Sequence, residues 1–269
     1  MNLVLSVAFG SLIGLSLGLT GGGGAIFAVP LLVYGLGVPA RDATGISLAA
    51  VGATSAIGFV HRLRLGQVEV PTGAWFAVAG MVGAPVGSYL ASLVNDSVLL
   101  IMFAGLMVTV ASRLWIQAAR STAPRGTTPD PASTFRCPRD QDGALILSVR
   151  SVSVLLVVGL LTGILSGLFG VGGGFIIVPA LVLFTGMDIH RAVGTSLMVV
   201  AAIGAAGVVA HLAGGREILF ELTGLFVLGG IVGLFVGQRI GRRLPAPTLQ
   251  KVFAAAMLAV AAFMIWRQV

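Results

Sequence analysis

The chain has 269 residues, 57% hydrophobic and only 9% charged, with a formal net charge of +7. A water-soluble domain carries about 25% charged residues, so this composition excludes one and points to an integral membrane protein with little mass outside the bilayer. The positive balance does not imply nucleic acid, because the basic residues lie between apolar runs with no basic face or aromatic platform; the single Cys137 lacks a disulfide partner and companions for a metal site.

In chain order the apolar segments are 3–20, 24–38, 43–60, 72–94 and 97–117, then 152–169, 174–187, 192–210, 218–238 and 248–266. A spanning helix needs about 20 residues, range about 17–25. The third to fifth segments of each set meet that; the second is short in both. First and second together read as a hairpin broken by glycine, one that need not cross fully. Helical periodicity decides little, because lipid demands helices that are apolar all round. Residues 3–20 lack the basic n-region and cleavage site of a signal peptide, and segment 152–169, deep inside the chain, is their counterpart.

The two sets are copies. Gly18-Leu19-Thr20-Gly21-Gly22-Gly23-Gly24 runs on to Pro30, and Gly167-Leu168-Phe169-Gly170-Val171-Gly172-Gly173-Gly174 runs on to Pro179, a register of 149. Gly37 falls on Gly186, Gly45 on Gly194 and Ser47 on Ser196; further on the register slips by one, and Gly80, Gly83 and Gly87 fall on Gly230, Gly233 and Gly237. Solenoid repeats have periods of about 20–50 residues, so this is a duplicated domain. The expected units are a first membrane repeat over 1–117, a flexible linker over 118–147 rich in Pro, Thr, Arg and Asp, and a second membrane repeat over 148–269.

Arg120, Arg125, Arg136 and Arg139 place the linker on the cytoplasmic side. Counting crossings outward from it puts Arg62, Arg64, Arg191, Arg239, Arg242, Arg243 and Lys251 inside, most of the 16 basic residues in all. Each half then crosses an odd number of times, and both termini are expected outside the plasma membrane. The expected fold is an all-α polytopic membrane protein with two homologous five-segment halves. Each half has three spans plus a Gly-broken helix hairpin, and the halves form an inverted repeat of about 8–10 membrane segments. Inverted repeats are the architecture of many secondary transporters, with the site near the midplane.

In that arrangement the two glycine turns enter from opposite faces and approach each other. Glycine permits the positive-φ backbone and close approach that such turns need, and irregular backbone at membrane depth is tolerated where it lines a cavity. The first N–H groups of each following helix are unpaired and carry the positive end of its dipole. Two such ends facing one cavity bind an anion without a charged side chain. The candidate donors are Gly22, Gly23, Gly24, Gly172, Gly173 and Gly174. Side-chain candidates come from the start of the third segments: Thr44 and Ser47 in Arg41-Asp42-Ala43-Thr44-Gly45-Ile46-Ser47, and Thr195 and Ser196 in His190-Arg191-Ala192-Val193-Gly194-Thr195-Ser196. Arg191 is the expected guide at the cytoplasmic mouth. The bland alternatives are helix packing by glycine and capping by Asp42 with the Ser and Thr hydroxyls bonded to their own helices. His61 and His211 read as anchors or solvated residues at opposite interfaces, and His190 as a somewhat better proton carrier.

No Asp, Glu, Lys or Arg falls mid-span, which argues against a cation pump. No mid-span base can activate a serine, so an intramembrane hydrolase is not expected either. The residues after the glycines, Ala25-Ile26 and Phe175-Ile176, are not the Lys and Ser/Thr of a phosphate-cradling loop. No cofactor or metal is expected.

The twin glycine turns with their prolines, the run Ala192-Val193-Gly194-Thr195-Ser196-Leu197 and the duplicated halves about a polar linker resemble the TauE/SafE family of sulfite exporters and related anion permeases. The first copy departs from that run at Ile46, where the second has Thr195. The resemblance implies transport of a small sulfur-containing anion such as sulfite, sulfoacetate or thiosulfate. The expectation is a secondary transporter in the lipid bilayer working by alternating access, with proton coupling and oligomeric state left open. A passive anion channel and a membrane scaffold that uses its glycines only for packing are the competing readings.

Overall fold

The computed structural model describes residues 3–120, 149–170, 174–187, 189–215 and 219–241, with 251, 254–255, 257–263 and 266. Residues 121–147 of the expected linker lie outside them. All regular elements among the described residues are helical.

The first half contains α1 (Leu3–Thr20), a 3-10 turn (Gly23–Phe27), α2 (Ala28–Pro30), a π turn (Leu31–Gly35), α3 (Ala40–Arg64), α4 (Val70–Leu93) and α5 (Asp96–Arg120). The second contains α6 (Val149–Phe169), α7 (Gly174–Thr185), α8 (Ile189–Ala213), α9 (Phe220–Gly241) and a final stretch that is helical at each described residue within 251–266. Among the described residues six helices are long and apolar enough to cross a membrane: α1, α3, α4, α6, α8 and α9. The apolar part of α5 covers Ser97–Arg113. The short second segment differs between the copies. Pro30 has no N–H to donate along its helix, and the chain changes pitch there, from 3-10 through one α turn to π. The second copy is a single 12-residue helix, α7.

The duplication is written into the backbone. Among the described residues those with positive φ are all glycine, and they pair at register 149: Gly21 (78°) with Gly170 (68°), Gly37 (69°) with Gly186 (63°), Gly66 (67°) with Gly215 (72°). After the third pair α4 opens at Val70 and α9 at Phe220, so the slip of one residue is an insertion in the second loop. Beyond it, buried positions recur at register 150, among them Ala104 with Ala254, Met107 with Met257 and Ala111 with Ala261.

The halves are not side by side. α1 packs along α9 and α6 along α4, so each half gives its first helix to the fourth helix of the other; α3 and α8 pack on each other at the centre. Glycine sets these contacts. Gly10, Gly14 and Gly18 lie against the backbone carbonyls of Phe226, Gly230 and Leu234, and Gly159, Gly163 and Gly167 lie the same way against Phe76, Gly80 and Ala84. From the facing helices Gly83 and Gly87 meet Leu160 and Ile164, and Gly233 and Gly237 meet Ser11 and Leu15. In lipid there is little hydrophobic gain in joining two helices, so close backbone approach, with its dispersion and Cα–H···O contacts, provides the adhesion.

Gly105 is a counterexample. A Cβ there meets nothing within 4 Å, and the position matching it in the second half is Ala255. Gly105→Ala is expected to raise stability by about 0.5–1 kcal/mol through helix propensity alone, read as a higher unfolding temperature in detergent.

Candidate functional site

α1 and α6 end alike. The N–H of Gly21 donates to Leu17 O at 2.7 Å and that of Gly170 to Ser166 O at 2.8 Å, each from a left-handed glycine just past its helix, a conformation that costs a side-chain-bearing residue energy. The chain then reverses. The two tips meet: a Cβ on Gly22 would strike the backbone of Gly174, and a Cβ on Gly174 the backbone of Gly22.

The long central helices complete the cluster by exchange. Gly21 rests on Val193 and Ser196 of α8, and Gly170 rests on Thr44 of α3. Val193 and Thr44 are repeat equivalents, so each turn is seated on the first turns of the other half's central helix. The structure thereby brings together Gly22, Gly174, Thr44 and Ser196 from four segments, with Ser47 one helical turn beyond Thr44 on α3.

Helical geometry leaves the first N–H groups of each helix without an intrahelical acceptor. Gly23 opens the 3-10 turn, and the first bond of that turn runs from Ala25 N–H to Gly22 O at 3.3 Å. The donors of Gly22, Gly23 and Gly24 therefore precede the bonded part of the helix. Gly24 is also pressed onto Ile13, Ser16 and Leu17 of α1. In the second turn Gly174 opens α7; Gly172 and Gly173 lie outside the described residues.

The four candidate hydroxyls have different surroundings. Thr44 donates to Ala40 O of its own helix at 2.9 Å. Ser196 lies 2.6 Å from Gly21 O and 2.8 Å from Val193 O. Thr195 accepts the N–H of Glu69 at 2.9 Å, and Glu69 is the residue that precedes α4. The Oγ of Ser47 is buried with no hydrogen-bond partner. Arg191 is exposed in the first turn of α8. The cap of α3 is Pro39, with Asp42 two residues into the helix from Ala40, where its charge still complements the dipole.

Thr195→Val removes the acceptor from the Glu69 N–H. Losing that hydrogen bond costs about 0.5–1.5 kcal/mol, so the variant is expected to unfold at lower temperature, with the loss located where α4 begins.

The histidines are not alike. His61 packs edge-on against Phe235 with ring centroids 5.4 Å apart, and His190 is exposed. His211 is only 1% exposed and its ring covers Gly45 of α3, a buried position rather than the solvated one expected. Its equivalent at register 149 is Arg62, one of the basic residues expected on the cytoplasmic side. Arg62 is 6% exposed, and its guanidinium donates to Gln67 Oε1 and to His190 O, both at 3.3 Å. The two central helices thus end in buried nitrogen side chains that hold the start of the other half's central helix. The repeat register was the available signal for both.

A cavity of about 630 Å³ lies between α1, the broken helix and the final helical stretch, lined mainly by apolar residues such as Leu12, Leu15, Phe27, Leu31 and Phe263. Its described lining is almost wholly apolar and offers an anion few hydrogen-bond donors, charged or neutral, so the turns are the better candidate site.

The profile of the family described as sulfite exporter TauE/SafE matches residues 6–264. A probable membrane transporter protein of Xylella fastidiosa (strain Temecula1) is 35% identical, over 99% of this chain and 96% of its own. The Bacillus subtilis probable membrane transporter proteins YdhB and YunE are 26% and 24% identical, over 92% and 99% of this chain and 93% and 98% of theirs. No solved structure matches.

Proposed function

The chain belongs to the sulfite exporter TauE/SafE family of membrane transporters, and on that premise we propose that it is a secondary transporter of a small sulfur-containing anion of the sulfite, sulfoacetate or thiosulfate class. The anion is held by backbone N–H groups of Gly22, Gly23, Gly24, Gly172, Gly173 and Gly174. The hydroxyls of Thr44, Ser47, Thr195 and Ser196 surround it, and Arg191 guides it at the cytoplasmic mouth. The observation that carries this reading is the contact of Gly22 with Gly174. Two glycine turns, one from each half, come together at that contact. An anion passes there when the turns separate, which favours alternating access over an open pore.

The halves are proposed to lie inverted in the plasma membrane, with the linker cytoplasmic and both termini outside. The reciprocal packing of α1 on α9 and α6 on α4 is what a two-fold relation between halves produces, and it supports this placement. A reporter fused to the C-terminus is expected to be active only outside the cytoplasm; a cytoplasmic signal would overturn the inversion.

The purified protein in sealed vesicles, offered sulfite, thiosulfate, sulfoacetate, sulfate and chloride in turn, is expected to accumulate at least one sulfur oxyanion against its gradient. Loss of accumulation on collapsing the proton gradient would identify protons as the coupling ion. Equilibration without accumulation would mark a passive pore. No movement of any anion would leave a scaffold.

A further inference from the structure

One wall of the cavity beside α1 is built of small residues where the second half has large ones. That cavity, about 630 Å³, has Ser16 and Thr20 on its α1 side and Ala259 and Val260 on the final stretch. At register 149 the positions of Ser16 and Thr20 are taken by Leu165 and Phe169. Phe169 is buried, and its ring centroid lies 5.3 Å from that of Phe103 on α5, the counterpart of the final stretch. In the second half one phenyl ring thus bridges the two helices that match the opposite walls of the cavity. The broken helix carries the larger residues, Phe27 for Ile176 and Leu31 for Ala180, yet the cavity persists between the three elements.

The lining calls for hydrocarbon. Protein interiors are packed to crystal density, so a void of this size does not stay empty, and a buried water needs about two to four polar partners. The α1 side offers the hydroxyls of Ser16 and Thr20, and that of Thr20 donates to Ser16 O at 2.8 Å; its other lining residues are leucines. The cavity also opens toward lipid. Leu12 on its rim continues the exposed α1 positions Val4 and Ala8 at four-residue spacing, and Phe263 is exposed on the final stretch. Leu12 is near the middle of α1, a helix long enough to cross the membrane, so the opening lies at the depth of the acyl chains. Tyr34 and Phe263 meet edge-on, ring centroids 5.6 Å apart, and join two of the walls. The volume falls within the range of about 300–1,000 Å³ of small-molecule sites. A helix from another molecule is about 10–12 Å across and could cap such a cavity but not fill it.

We propose that this cavity is a lipid site: one acyl chain of a bilayer phospholipid enters beside Leu12 and packs the broken helix against α1 and the final stretch. The acyl chain is the apolar filler present at this depth, and it does for the first half what the Phe169 ring does for the second. The site stands on the membrane setting alone and does not depend on which solute is moved.

The test reconstitutes the full chain in phosphatidylcholine vesicles that contain a phospholipid with a diazirine midway along one acyl chain; after illumination the labelled residues are mapped by peptide mass. Label is expected at Phe27 and Leu31, which line the cavity, and it should saturate as the probe fraction rises. Label at the exposed α4 positions Val78 and Val82 should rise in proportion to the probe instead. Thr20→Phe supplies the residue of the second half. Ala259→Trp fills the cavity from an exposed position on the opposite wall and decides the matter should Thr20→Phe accumulate poorly. Either should cut label at Phe27 and Leu31 at least about fivefold, because the new side chain takes the volume the acyl chain would fill, and leave Val78 and Val82 unchanged. The delipidated wild type should unfold at a temperature that climbs with added phosphatidylcholine, as a ligand of the folded state requires, and the filled variants should respond less. Absence of label at Phe27 and Leu31 in the wild type overturns the site. So does label there that the filled variants leave unaltered, the mark of ordinary boundary lipid. Cross-links between chains and a dimer that Ala259→Trp dissociates, with no label at Phe27 and Leu31, would assign the cavity to another molecule of this chain and overturn the proposal as well.

Discussion

Replacing Gly174 with valine is expected to abolish anion transport while the protein still inserts. The Cβ of any side chain at Gly174 runs into the Gly22 backbone. The obstacle is main chain on the opposing turn, which cannot swing aside as a flexible side chain would. Overpacking of this kind costs about 1–3 kcal/mol, within the 5–15 kcal/mol that a folded domain has at its disposal, so the chain should still fold. The turns would be wedged at the one contact where the proposed site closes. Uptake at equal membrane level should fall at least about 100-fold, equivalent to some 2.7 kcal/mol. Gly22→Val should behave likewise, since the clash is mutual. Gly37→Ala and Gly186→Ala separate this effect from backbone strain. Both glycines have positive φ, 69° and 63°, yet a Cβ at either meets nothing within 4 Å. Each should cost about 1–2 kcal/mol of stability with transport retained. Wild-type uptake by Gly174→Val would mean that the contact between the turns has no part in transport.

Much of the architecture was readable from the residues because duplication makes its own controls. A glycine run that interrupts apolar sequence once is ambiguous; the same run at register 149 with a proline at the same distance is a backbone requirement, and Gly21 and Gly170 duly share a left-handed conformation. The slip of one residue before Gly80 and Gly230 was visible too, and it falls in a loop, where an inserted residue disturbs no packing. Partner choice was not readable. Two copies of a helix present the same glycine stripe, so sequence alone cannot tell whether α4 takes α1 or α6. In lipid, with helices apolar all round, no amphipathic face breaks the tie. The same limit hid the inequality of Ser47 and Ser196, which are identical letters in matching places. Only their neighbours distinguish them: Ser196 lies 2.6 Å from the Gly21 carbonyl and Ser47 has no partner. Arg62 and His211 were legible in principle, since they occupy one register position, but a charge at a helix end in a membrane protein ordinarily faces water, and burial by the other half is a tertiary fact.

Gly163→Leu is expected to prevent accumulation of folded protein. Gly163 lies on the Gly80 backbone of α4, between Gly159 on Phe76 and Gly167 on Ala84. A leucine there must push two helices apart along three turns, and every backbone contact of the stripe opens with it. Losses above about 4–5 kcal/mol belong to such core disruptions and approach the whole stability of a domain. With about 2–4 °C per kcal/mol for a chain of 150–250 residues, any protein that survives extraction should unfold at least about 10 °C lower. The repeat supplies an independent copy of the experiment: Gly14 lies on the Gly230 backbone in the same way, so Gly14→Leu should fail equally. Gly224→Ala should not, because a Cβ there meets nothing within 4 Å and the matching position carries Ala74. The two zippers differ from ordinary helix packing in what they join. α6 leads directly into the second glycine turn, while α4 belongs to the first half, so the α4–α6 stripe seats one half's turn on the other half's helices. If the halves were instead independent bundles, α6 would pack within its own half, and Gly163→Leu combined with Gly14→Leu would damage two separate units. In the interleaved fold either substitution alone opens one of the two glycine seams that, with the central α3–α8 contact, hold the halves together. The double variant should then add little to the single ones, a non-additivity readable from membrane levels and unfolding temperatures.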